Sequence, residues 1–325
     1  KDILDELEQG VGFVACNTQV IGLLNESLAA HGRAALALLP VVEQGTSTLI
    51  DNLGRLLKKM GQRKEARALL ERAVQAKREA LGDRHPNTLV SIHNMGKLLG
   101  AMGQLEEARR LLEEVLLARR ETLGNRDPLT LLSIYNMGWV LMDMGELEET
   151  RPLLEEAMHG HKEILGDRHP DTLASVSAMG TQLSAMGQLE EAVPLLEEAM
   201  QARRETLGDR HPDTLASINN MGLLLQKMGK LEAARPMYEE ALQASRETLG
   251  GRHEHTLLWI SCMGGLLQDM GQLEEARPLF EEALQACRET LGDRHPSTLR
   301  SIGNMGVLLQ QMGRLEEARP LLEEA

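Results

Sequence analysis

The sequence predicts an all-α fold, a solenoid of stacked helix–turn–helix units. Three observations predict it. A 42-residue period runs through most of the 325 residues. Each period divides into two segments whose apolar residues recur at helical spacing. Glycine punctuates both joints.

The period is read on the threonines that follow a recurring connector, LGDRHP in its commonest form. They are Thr88, Thr130, Thr172, Thr214, Thr256 and Thr298, with Thr46 one step upstream. This predicts seven 42-residue units over 46–325, the last cut short. Residues 1–45 match the repeat poorly. Gly22, Ala34, Leu38 and Val41 outline a degenerate unit there, which would serve as a helical N-terminal cap.

The unit at 88–129 shows the plan. In "TLVSIHNMGKLLGAM", Ile92, Met95, Gly96 and Leu99 share one helical face, and Gly103 breaks the helix. In "QLEEARRLLEEVLLARRETL", Leu105, Ala108, Leu112 and Val115 share another, and Gly124 ends it. The second helix, about 19 residues, spans roughly 28 Å at 1.5 Å per residue.

Aligned units give columns. Gly54, Gly96, Gly138, Gly180, Gly222, Gly264 and Gly306 form one. Ala66, Ala108, Ala192, Ala234, Ala276 and Ala318 form another, with Thr150 replacing Ala once. Both predict close helix approach. Leu70, Leu112, Leu154, Leu196, Tyr238, Phe280 and Leu322 supply the large partner. Methionines fill the columns Met95 to Met305 and Met60 to Met312, and at helical spacing these read as core. One helix pair cannot bury its apolar face alone, so neighbours must stack. Pro152, Pro194, Pro236, Pro278 and Pro320 fall near the start of the second helix and predict a mild bend there.

Composition narrows the function. Net charge is −14, which argues against nucleic acid or an anionic membrane as main partner. The three cysteines, Cys16, Cys262 and Cys287, are sparse and odd in number, so a reducing, cytoplasmic setting is expected. No apolar run is long enough to span a bilayer. The chain begins at Lys1 without Met and ends in "LLEEA", which reads as a fragment.

The connector places Asp, Arg and His within three residues, and so raises the question of catalysis or metal binding. Geometry answers against it. Packed helices lie ~8–10 Å apart, whereas zinc ligands must all reach one ion at about 2.0–2.3 Å. His85, His169, His211, His253 and His295 cannot share a site. A structural reading accounts for the letters. Gly ends the long helix. His, or Asp127 in one copy, caps the next. Pro follows at the first helical position. Asp satisfies backbone N–H groups in the turn. No nucleotide-loop, metalloprotease or CxxC motif is present. Recurrent Glu pairs such as Glu106–Glu107 read as a solvated helix face. No catalytic residue, metal or cofactor is predicted.

Ile92-x-x-Met95-Gly96-x-x-Leu99, followed by Ala108-x-x-x-Leu112, resembles the tetratricopeptide signature. That family's usual period is about 34 residues. The longer period here, the "RETLGDRHP" connector and the "NMGxLL" helix resemble the long repeats of kinesin light chains. The resemblance covers residues 46–325, and it extends to repeat segments of scaffold and nucleotide-binding signalling proteins. It implies a right-handed superhelix whose first helices line a concave groove. In kinesin light chains a heptad coiled coil joins the repeats to the motor. Residues 1–45 show no heptads, so a kinesin heavy chain would be reached only through a region not in this chain.

The non-core face of the first helices is the candidate site. Asn52, Asn94, Asn136, Asn220 and Asn304 form a column interrupted by Ala178 and Cys262. In similar repeats an asparagine at this place holds a peptide backbone; the alternative is an amide bonded to a neighbouring helix. Tyr135 and Trp139 share a face at i,i+4, as binding anchors or as packing between helices. Arg55, Lys58, Lys59, His93 and Lys97 outline a basic patch suited to an acidic segment, or simply a solvated charged surface. The expectation is a non-enzymatic adaptor, similar to kinesin light chain cargo adaptors. It would bind an extended acidic peptide with a hydrophobic anchor through Asn52, Arg55, Asn94, Lys97, Tyr135, Asn136, Trp139, Asn220 and Asn304. The alternatives are a regulatory repeat arm of a larger signalling ATPase or protease, and a spacer without groove ligand.

Overall fold

A computed structural model describes residues 44–59 and 62–324. Fourteen helices and no strand occur among them. First helices are α1 (Gln44–Lys59), α3 (Pro86–Ala101), α5 (Pro128–Asp143), α7 (Pro170–Ala185), α9 (Pro212–Lys227), α11 (Glu254–Asp269) and α13 (Pro296–Gln311). Second helices are α2 (Arg63–Leu81), α4 (Leu105–Leu123), α6 (Leu147–Leu165), α8 (Leu189–Leu207), α10 (Leu231–Leu249), α12 (Leu273–Leu291) and α14 (Leu315–Glu324). The chain divides into two compact units, 1–125 and 126–325, holding α1–α4 and α5–α14. Each is a helical solenoid in which every helix packs on the next. Most of the N-terminal cap segment, and Met60, lie outside the described residues.

Both joints are set by backbone chemistry. At the connector, Gly82 has φ 85° and ψ 165°, a region essentially open only to glycine. Its N–H donates to the Arg78 carbonyl at 3.0 Å. His85 then caps α3, its Nδ1 accepting from Asn87 N at 3.1 Å. His169, His211, His253 and His295 repeat the bond, and Asp127 makes it from a carboxylate at 2.8 Å. The aspartate departs from expectation: Asp83 Oδ1 lies 3.2 Å from Arg78 Nε, pairing with the helix end rather than capping N–H groups. The arginine reaches one repeat onward, Arg84 to Glu121 within the first unit and Arg168 to Glu205 at 2.6 Å within the second. Gly82, Asp83, Arg84, His85 and Pro86 of this connector each have a structural use.

At the inner turn, Gly103 is left-handed at φ 75°. Its N–H bonds the Gly100 carbonyl at 2.9 Å, and Gln104 N–H reaches back to Leu99 at 3.0 Å. This crossed pair satisfies carbonyls that the helix end would leave open.

The columns pair as their sizes demand. A Cβ on Gly54, Gly96, Gly138, Gly180, Gly222, Gly264 or Gly306 would lie 2.6–2.9 Å from Leu70, Leu112, Leu154, Leu196, Tyr238, Phe280 or Leu322 respectively. The missing side chain of each first helix is the seat of the large one sixteen residues on. Met95, Met137, Met179, Met221, Met263 and Met305 are buried. Thr150, standing in for alanine, is also buried and bonds its hydroxyl to the Glu146 carbonyl at 2.9 Å. Pro152 and its equivalents through Pro278 lie inside helices that continue past them for the full 19 residues.

Candidate functional site

Within each unit, first helices of successive repeats touch one another: α1 with α3, α5 with α7, α7 with α9, and α11 with α13. No pair of second helices among the described residues approaches as closely. First helices therefore form the inner side of each stack. The face they leave open is followed best at the position of Arg55. It runs Arg55 and Lys97 in the first unit, then Trp139, Thr181, Leu223, Gly265 and Val307 in the second. All are exposed or half-exposed. Five residues upstream, Ile50, Ile92, Ile134, Val176, Ile218, Ile260 and Ile302 are fully buried.

In the first unit, Asn52 and Asn94 are half-exposed and Arg55 and Lys97 are exposed, on the faces of α1 and α3. Lys58 reaches across, its Nζ donating to the Lys97 carbonyl at 3.0 Å. Burial, then the charges of Lys97 and Arg63, push the Lys58 ammonium down to about 8. His93 is not part of the surface patch. It is buried, and burial first, then Arg119, Lys97 and Lys58, lower it to about 3, so the imidazole is neutral. The side chain of Lys59 lies outside the described residues.

In the second unit, Tyr135 and Trp139 meet edge to face, with ring centroids 6.3 Å apart at 79°. Both are half-exposed and pack against the core with their inner sides. Burial raises the Tyr135 hydroxyl above its ordinary value. The asparagine column divides. Asn136 is buried and donates to the Leu132 carbonyl of its own helix at 2.6 Å. Asn220 donates to Ser177 Oγ at 3.1 Å, on the neighbouring first helix. Asn304 is half-exposed on α13.

A second polar column lies between helices. In the first unit Lys77 forms a buried ion pair with Asp51, whose Oδ2 also accepts from Ser91 Oγ at 2.7 Å. In the second unit the equivalents of Lys77 meet the equivalents of Ser91. His161 Nδ1 lies 2.8 Å from Ser175 Oγ, Arg203 donates to Ser217 Oγ at 2.7 Å, and Ser301 Oγ lies 3.6 Å from Cys287 Sγ. The alignment carried the signal for this column. Lys77, Arg119, His161, Arg203, Ser245 and Cys287 fall in one register and differ in nearly every copy.

Among the described residues, no three His, Cys, Asp or Glu side chains group as metal ligands. No described helix is long and apolar enough to cross a membrane.

The tetratricopeptide repeat family model matches residues 46–121, 92–142, 129–204, 174–247, 213–260 and 255–325. Nearly identical TPR-like repeats assigned to a kinesin light chain of Podosopora anserina are 32% identical, with a TM-score of 0.52 over 62% of this chain and 96% of that one. The apo form of RapI is 11% identical, with a TM-score of 0.63 over 86% of this chain and 95% of that one. NprR in complex with its cognate peptide NprX is 17% identical, with a TM-score of 0.55 over 99% and 82%. These two likenesses are of fold alone. Comparison with curated proteins gave no match. The chain belongs to the tetratricopeptide repeat family, and its repeats are similar to those of kinesin light chains.

Proposed function

We propose that this protein is a non-catalytic adaptor whose first-helix faces bind extended peptide segments, as a kinesin-light-chain-like cargo adaptor would. The first unit offers cations for an acidic segment. The second offers Tyr135 and Trp139 as the seat of a hydrophobic anchor. That aromatic pair carries the reading. Aromatics make up only 2% of the chain, yet two of them stand together, partly open to solvent, on an inner helix face. Rigid, half-desolvated aromatics are what an interface uses as anchors. A solved protein of the same fold, NprR, is bound to its cognate peptide, which supports the same use here. Contact with a motor chain would involve a region outside these residues.

The test is fluorescence polarisation with a degenerate pool of acidic, tryptophan-containing peptides, against the parent protein, Trp139→Ala and Asn94→Ala. The expected result is binding near micromolar, about −8 kcal/mol, with ~1–2 kcal/mol lost in Asn94→Ala at the first-unit face and in Trp139→Ala at the second-unit face. Absence of binding, or binding indifferent to both substitutions, would refute the reading.

A further inference from the structure

In the first unit, Arg67 and Arg78 of α2 and Arg84 of the connector pair with glutamates: Arg67 with Glu71, Arg78 with Glu114, Arg84 with Glu121. Arg55 and Lys58 on α1, and Arg63 at the start of α2, form no ion pair with any described residue. Lys58 instead lies against α3, its ammonium donating to a backbone carbonyl of the residue that carries a further cation, Lys97. Two buried or half-buried groups register the resulting field. Lys58 is pushed down by burial, Lys97 and Arg63; His93, beneath it, by burial, Arg119, Lys97 and Lys58. Among the described residues, the charges that lower both groups are those of cations.

Holding like charges together on a chain of net charge −14 costs free energy that packing does not require. The equivalents of Lys58 in later repeats are Gly100, Met142, Ser184, Gln226, Gln268 and Gln310, all uncharged. The cluster therefore belongs to one place, not to the repeat plan. A dense anion would relieve it. A carboxylate brings one charge and two oxygens. A phosphate monoester brings about −1.5 to −2 and three strong acceptor oxygens, which suits several neighbouring cations better.

We propose that the first-helix face of the first unit recognises a phosphorylated side chain of a peptide, with Arg55 and Lys58 as direct donors and Lys97 and Arg63 supplying further charge. This rests on the reading that first-helix faces bind peptide, and it names the chemistry that one of them selects.

The test compares three degenerate peptide pools, identical except for a central phosphoserine, serine or glutamate, each titrated against the 325-residue chain. The phosphoserine pool is expected to bind about ten-fold tighter than the other two, from one or more added charge-assisted hydrogen bonds. Arg55→Gln and Lys58→Met should each remove most of that preference, while Asn94→Ala, on the same first-unit face, weakens all three pools alike. Lys58→Met also removes the bond to the Lys97 carbonyl. Arg55→Gln, at an exposed position, therefore provides the variant whose fold is not at stake, with circular dichroism checking both. Equal binding of phosphoserine and glutamate pools would overturn the proposal in favour of a carboxylate site. Equal binding of all three pools, still weakened in Asn94→Ala, would overturn it and leave the adaptor reading intact. Failure of every pool would overturn both. Inorganic phosphate binding as tightly as the phosphoserine pool, or polyuridine RNA binding more tightly, would overturn the peptide as the source of the phosphate.

Discussion

Gly264 and Gly265 are neighbours in α11, and a methyl group added to each would meet opposite surroundings. On Gly264 it would lie 2.9 Å from Phe280 Cε1, 3.0 Å from Cζ and 3.1 Å from Cδ1; on Gly265 it would meet nothing within 4 Å. Either change to alanine gains about 1 kcal/mol of helix propensity. Gly265→Ala should keep that gain and be stabilised by about 0.5–1 kcal/mol. Gly264→Ala must also displace a rigid ring that is only 2% exposed. Overpacking of this kind costs ~1–3 kcal/mol, so the net change runs from about zero to about 2 kcal/mol of destabilisation. The propensity gain cancels between the two variants, so their difference, ~1–3 kcal/mol, isolates the packing term. Trp259 lies in the same helix at 2% exposure and reports its unfolding in urea. A Trp139→Phe background removes the other tryptophan of the two. Repeat arrays need not unfold in one step, so amide exchange across α11 provides a local check. Equal stability of the two alanine variants would refute the view that the ring of Phe280 fills the side-chain space of Gly264.

Two further outcomes follow from buried polar groups of the first unit. Asp51→Leu strands the buried Lys77 ammonium and should cost ~3–5 kcal/mol, whereas Asp51→Leu with Lys77→Leu should return close to the parent; amide exchange in α1 and α2 reads both, and a single-variant loss below ~1 kcal/mol would refute the pairing. His93 is held at about 3 in the folded protein, below its ordinary 6.5. The unfolded chain therefore takes the proton first as pH falls, and stability present above pH 6.5 is lost between 6.5 and 3, by up to about 1.4 kcal/mol per pH unit. Comparing urea midpoints of the parent and His93→Asn at pH 7 and pH 5 checks this: the parent should lose more, and equal losses would count against a neutral buried imidazole.

Much of this architecture was legible in one dimension. A strict 42-residue period fixed the number of repeats and the register between them. The glycines at 82 and 103 and the His–Pro pair at 85–86 marked the helix ends, because those positions demand particular backbone angles or caps whatever packs around them. The columns at Gly96 and Leu112 named both halves of a size-complementary contact before any geometry was available. Solvent exposure was another matter. Lys77, Arg119 and His161 stand on long second helices rich in charge, and the structure buries them. His93 reads as part of a cationic surface and is instead the neutral group beneath it. Asn94, Asn136 and Asn220 are alike in sequence, but one is half-exposed, one bonds its own helix and one a neighbouring first helix. Periodicity says which residues share a face. Whether water or a neighbouring helix covers that face depends on residues about 42 positions away, and only the packed structure brings those together.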